Sequence, residues 1–212
     1  MFARLVFAGT LAPAALFLLA CGGPEWRPLF NGKDMTGWKH VGEGEFSVEN
    51  GELKTQGGMG LLWYEGEQFG DCVLRVVYKA TGRGNAGVFI RIPEKPRDAW
   101  YPVHHGYEVQ IEDQGDEFHR TGAIYSMSRA ETFPASSDSW NTMEIKLEGA
   151  VTQVTVNGEI VNTFDGNTAQ EREKWYEPQR GPRPDRGYIG LQNHDDNSTV
   201  YFREVSVRPL QP

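Results

Sequence analysis

Cysteine is nearly absent from this chain: 212 residues contain only Cys21 and Cys72. There is no CxxC pair and no Cys/His cluster with zinc-ligand spacing, which argues against a thioredoxin-like centre or a zinc ribbon. Positive charge is also short, with 21 Lys and Arg against 29 Asp and Glu, a formal net charge of −8. So acidic a chain is a poor partner for nucleic acid or for anionic lipid surfaces. No nucleophile-elbow serine, P-loop or dinucleotide fingerprint occurs, and no nucleotide cofactor is expected. No internal repeat and no long helical period is evident.

The longest apolar run is at the start, Leu11 to Ala20, broken only by Pro13, with Arg4 the sole charge before it. It is too short for a permanent membrane span and reads as a secretory signal over residues 1–20. Its ending, Leu18-Leu19-Ala20-Cys21, resembles a bacterial lipoprotein cleavage box, which makes Cys21 the expected lipid-modified N-terminus. A plain secretory signal leaving Cys21 free is the alternative. On the lipoprotein reading the protein is extracytoplasmic, at the cell envelope, and touches membrane only through that lipid. Residues 21–28 are then a tether and 29–212 one domain; 192 residues remain after cleavage, enough for a sizeable core. Cys72 becomes the last thiol, so no internal disulfide can form.

What the sequence does hold is strand and turn. It has 25 Gly, 12 Pro and 12% aromatic residues, a balance that suits many short strands. Asn50-Gly51 and Asn157-Gly158 sit between alternating segments and predict two hairpins. Further strands are expected at 61–64, 71–79, 86–92, 121–125, 140–148, 188–194 and 200–207. In the second of these Cys72 shares a face with Leu74, Val76 and Tyr78 and reads as a small core residue. Ten or more short strands without a long helix predict an all-β, two-sheet antiparallel sandwich. Residues 165–186 form a long charged connector, expected to be a lid or rim with at most a short helix in Gln170–Tyr176.

One strand carries the functional question. In Gly106–Asp113, Tyr107, Val109 and Ile111 point to one face while Glu108, Gln110 and Glu112 point to the other. Glu and Gln are poor strand formers, so three in alternate positions mean either a wet outer face or the floor of a groove. Other strands offer polar faces that could join it: Asn85 and Arg91 from 85–92, Tyr125 from 121–125, Gln192 and His194 from 188–194. Arg91 could bind a sugar there or simply lie on the surface over Phe89. The Glu94–His105 loop, with Trp100, Tyr101 and the pair His104-His105, could wall the groove. The histidines leave a divalent metal open, with no ligand spacing to fix it. Acids at i, i+2 and i+4 of a jelly-roll strand resemble laminarinase-like glycosidases. Here the middle position is Gln110, which departs from that pattern.

Taken in order, the motifs 29-LFNGKDMTGW-38, 84-GNAGVFIR-91, 106-GYEVQIED-113, 121-TGAIY-125, 140-WNT-142, 156-VNG-158 and 187-GYIGLQNH-194 resemble the 3-keto-disaccharide hydrolase domain family over nearly the whole mature chain. Ala86 departs from the Ser common there; it is small and inward-facing. The resemblance implies a concanavalin A-like jelly roll acting on glycosides oxidised at C3. Such a substrate needs a base near C2, a stabiliser for the enolate and an acid for the leaving oxygen. The residues suggest Glu108 or His194 as the base, Glu112 or a water it holds as the acid and Arg91 on the enolate. Asn85, Gln110, Tyr125 and Gln192 would then bind the sugar. Two other readings stay open: a carbohydrate-binding lipoprotein module without catalysis, and an ordinary laminarinase-like hydrolase.

Overall fold

A computed structural model describes residues 25–168 and 181–210. The leader, Cys21 and the helix expected in Gln170–Tyr176 lie outside the described residues. Thirteen strands and one five-residue helix follow in the order β1 (Arg27–Pro28), β2 (Trp38–Gly42), β3 (Glu45–Glu49), β4 (Glu52–Gln56), β5 (Gly60–Tyr64), β6 (Cys72–Thr81), β7 (Asn85–Ile92), α1 (Tyr101–His105), β8 (Tyr107–Glu112), β9 (Asn141–Glu148), β10 (Val151–Val156), β11 (Glu159–Asp165), β12 (Tyr188–Asn193) and β13 (Thr199–Pro209). They form two antiparallel sheets. The larger runs β11-β10-β9-β6-β13-β4-β3 with β1 beside β13; the smaller runs β2-β5-β12-β7-β8. This is the expected all-β sandwich of jelly-roll type.

Local turn chemistry sets both predicted hairpins. Asn50 and Gly51 take φ of 53° and 84°, and Asn157 and Gly158 take 50° and 86°. Two consecutive positive φ values are the type I′ geometry that matches strand twist, which Asn-Gly adopts at little steric expense. Between the sheets, Leu74, Val76 and Tyr78 of β6 and Met143, Ile145 and Leu147 of β9 meet Ala86, Val88 and Ile90 of β7 and Val109 and Ile111 of β8 in one core. Cys72 belongs to that core, and burial pushes its thiol up to about 11. A thiol that holds its proton this firmly is a packing group rather than a nucleophile.

The smaller sheet is covered on both faces, which sets the position of the site. On its outer side Leu61, Trp63, Phe89 and Ile92 pack with Ala99 and Val103 of the segment leading into and through α1. The loop expected at 94–105 therefore contains a short helix with Pro102 at its start, where a missing N–H matters least.

β7 also departs from strict alternation. It pairs with β12 at Phe89–Gly190 and at Ile92–Tyr188, so two β7 residues oppose one of β12. The extra residue makes a β-bulge, with Arg91 at φ 54°. Beyond it the faces exchange: Ile92, expected inward, joins the outer cluster, and Arg91 leaves the outer face. Its guanidinium is instead 1% exposed, donating to Gly149 O at 2.5 Å and Pro184 O at 3.2 Å, with the Asp185 carboxylate at 3.9 Å. Neither expected role of Arg91, on the groove or over Phe89 on the surface, fits this position.

Candidate active site

β8 is the last strand of its sheet, and its outer edge is not bare. Residues 121–125 run along it, with backbone bonds Thr121 N to Glu112 O, Gly122 N to Gln110 O, Gln110 N to Ala123 O and Tyr125 N to Glu108 O, 2.8–3.0 Å long. The expected strand there is a run of turns in which Ile124 alone bridges, to Val109 of β8 and to Ser128. It still satisfies the edge donors and acceptors and carries Tyr125 to the outer face.

On that face lies a pocket of about 450 Å³. Its lining is Asn85, Glu108, Gln110, Glu112, Tyr125, Gln192 and His194, together with Met59, Trp100, Val103 and His119. Seven of the eight sequence-predicted side chains come together here. The eighth, Arg91, does not, because the bulge turns it away. Of the loop histidines, His105 stacks on Tyr101 with ring centroids 4.4 Å apart, and neither His104 nor His105 lines the pocket. Sequence reasoning missed His119. It sits in an aperiodic loop, and the one local signal was Asp116 three residues before it.

The floor is built from buried polar groups. Glu108 is 6% exposed, Gln110 2% and Gln192 3%. Glu108 has room because Gly87 lies beside it on β7; a Cβ there would collide with its carboxyl. Burial raises the Glu108 carboxyl to about 8, and a hydrogen bond from the Gln192 side chain only partly opposes this. Among the described residues no cation offsets it, so desolvation of the charged form decides. Asn85 links the rest: its amide donates to Glu112 Oε2 at 3.4 Å while its Oδ1 accepts from Gln110 Nε2 at 3.2 Å. Among the described residues, Gln110 Oε1 and Gln192 Oε1 are buried without a hydrogen-bond partner. Buried acceptors of this kind suit a ligand that brings hydroxyl donors.

Toward the mouth the groups are less buried: Glu112 and His119 are half-buried and His194 is exposed. Burial raises Glu112, and His194 and His119 nearby oppose the shift. Each of these histidines has its Nδ1 on an aspartate: His194 on Asp195 Oδ2 at 2.7 Å and His119 on Asp116 Oδ1 at 2.6 Å. A carboxylate at Nδ1 fixes the ring and leaves Nε2 as the working nitrogen. His119 also meets Tyr125 edge-to-face at 5.3 Å. Among the described residues no three His, Cys, Asp or Glu are grouped so as to hold a metal ion. The pocket thus joins a buried carboxyl of high proton affinity, a second carboxyl with two aspartate-held imidazoles, and neutral amides. Such a set can move protons on a polyhydroxylated ligand.

No curated protein matches the chain. Among solved structures it resembles a protein of Parabacteroides distasonis ATCC 8503 described as a "putative glycosyl hydrolase", at 24% identity and a TM-score of 0.73, covering 88% of this chain and 94% of that one. A Bacillus subtilis protein of unknown function with a galectin-like fold aligns at 18% identity and a TM-score of 0.62, over 88% and 96% of the two chains. The carbohydrate-binding module CBM66 of Bacillus subtilis aligns at 15% and 0.55, over 81% and 95%. At these identities the likeness is one of fold. The 3-keto-alpha-glucoside-1,2-lyase-like domain model, by contrast, matches residues 25–208, a span that contains every residue of the pocket and both sheets but for Pro209 at the end of β13, and the chain belongs to that family.

Proposed function

We propose that the protein is a lipid-anchored extracytoplasmic enzyme that cleaves 3-keto-glucosides by elimination across C1 and C2. The observation that carries this reading is Glu108, a carboxyl buried at the pocket floor beside Gly87 and the Gln192 side chain, where burial raises its proton affinity to about 8. A carbonyl at C3 acidifies the C2 proton. Glu108 takes that proton, and the C–H electrons move into an enolate on O3. The enolate re-forms the carbonyl, a C1=C2 bond forms, and the C1–O bond breaks with its electrons on the leaving oxygen. Glu112, or a water it holds beside His194, supplies the proton that oxygen needs. Water adding back at C1 would make the overall reaction a hydrolysis. With Arg91 elsewhere, stabilising the enolate falls to the amide, phenol and imidazole donors of the lining.

A base held near 8 is well matched to this task. Brønsted behaviour rewards base strength, and about a tenth of such a group is still ionised at pH 7. The same property argues against an ordinary retaining glycosidase. A carboxyl mostly protonated at neutral pH is a poor nucleophile, and Gln110 stands where a partner acid would be. A binding module without catalysis gives no reason to bury a titratable carboxyl at the floor of the pocket.

The test is to incubate the purified protein with a 3-keto-disaccharide and, separately, with its unoxidised parent. Turnover of the keto sugar alone is expected; turnover of the parent at a similar rate, or of neither, would overturn the reading. The anchor is tested by Cys21→Ser, which should leave the membrane fraction. Retention there would remove that part of the proposal.

A further inference from the structure

The pocket has a direction. Glu108, Gln110 and Gln192 are buried at its floor; Asn85, Glu112, His119 and Tyr125 are half-buried; His194 and Trp100 are exposed at its mouth. Its three apolar members, Met59, Trp100 and Val103, come from the turn before β5 and from the segment that opens α1. Val103 is buried in the outer cluster and Met59 packs against it, whereas Trp100 is 57% exposed.

An exposed tryptophan is usually a mobile surface residue, but the backbone of Trp100 is fixed. Asp98 Oδ1 accepts from both Trp100 N at 2.9 Å and Tyr101 N at 2.8 Å, and Trp100 O accepts from His104 N at 3.3 Å. The fold therefore holds a large indole in water at the edge of a polar pocket, where leaving it unburied forgoes the burial of a large aromatic surface.

We propose that Trp100 is the platform on which the ring of the leaving group stacks, so that it determines specificity for glycosides whose C1 substituent is itself a ring, a second sugar or an aryl group. The inference rests on the function proposed above. If C2 meets Glu108 on the floor and the leaving oxygen meets Glu112, the C1 substituent extends outward past the mouth, where Trp100 stands. The apolar face of a pyranose or an aryl ring gains contact with the indole; a methyl leaving group is too small to benefit. Trp100 takes no part in proton transfer, and its exposure means that replacing it removes no core packing.

The experiment compares two 3-keto-glucosides, one with a sugar or aryl leaving group and one with methanol, on wild type, Trp100→Ala and Trp100→Phe. For the ring leaving group, Trp100→Ala should lower kcat/KM about 10-fold, mainly through KM, and Trp100→Phe should restore most of it. For the methyl glycoside all three should agree within about twofold. Equal losses on both substrates, or no loss on either, overturn the platform while leaving the function intact. If wild type turns over neither substrate, the function fails instead. Calorimetric binding of the unoxidised disaccharide then decides on Trp100: weaker binding by Trp100→Ala supports the platform, and equal affinity overturns it.

Discussion

Replacing Glu108 with Gln should lower turnover of a 3-keto-glucoside by 10²- to 10⁴-fold, the usual loss with a general base, and should at the same time make the protein more stable. The two effects have one origin. The unfolded chain releases the Glu108 proton near its ordinary 4.5, while the fold holds it to about 8. Between those values the unfolded state binds fewer protons than the native state, so stability falls as pH rises through that window. At pH 7 the penalty is about 3 kcal/mol, and a neutral amide would avoid most of it. Glu108→Gln should therefore gain about 1–3 kcal/mol in urea unfolding at pH 7–8 and little at pH 4. Wild-type kcat/KM should rise with pH toward about 8, as expected for a base that must lose its proton first. A variant both inactive and less stable at pH 8 would mean that Glu108 is a structural acid. A profile that falls between pH 6 and 8 would reverse its role to that of a proton donor.

The second large effect concerns Arg91 and separates fold from chemistry. Its guanidinium fills a buried site at the β7 bulge and is bonded to the Gly149 and Pro184 carbonyls. Arg91→Met should destabilise the protein by about 2 kcal/mol, since the buried guanidinium site loses its hydrogen bonds to the Gly149 and Pro184 carbonyls, two acceptors on exposed residues that water can reach in part. Because Arg91 lies outside the pocket, kcat of the folded fraction should stay within about threefold of wild type. The Asp185 ion pair contributes little to this, as that carboxylate is 72% exposed. A stable but inactive variant would return Arg91 to the site and contradict the position described above.

These two residues also mark what could be read in advance. Tyr107 to Glu112 could be read because alternation is a local property of an extended chain, and both Asn-Gly hairpins because that dipeptide specifies its own turn. The polar faces of β7, β8 and β12 could be superposed because period two carries through regular strands, which brought Asn85, Glu108, Gln110, Glu112, Gln192 and His194 together. Arg91 was misassigned for the same reason. The bulge that turns it lies in the pairing with β12, about a hundred residues further along, and a residue count along β7 cannot see it. His119 lies in a loop without period, and its position depends on how 121–125 folds along the β8 edge. Asp98 ties the backbone entering α1, which changes an expected loop wall into a fixed platform. The surroundings of Glu108, which decide its chemistry, include Gly87 of β7 and Gln192 of β12, one and two strands away.

The claim on which the rest depends is that the C2 proton is removed before the C1 bond breaks. The direct measurement is turnover of a 3-keto-glucoside carrying deuterium at C2 against its protium form, by wild type under saturating substrate. A primary isotope effect on kcat, with solvent hydrogen appearing at C2 in any hydrated product, is the predicted result. Cleavage at equal rates with the deuterium fully retained at C2 would contradict the account, because C1 substitution without elimination leaves that bond untouched.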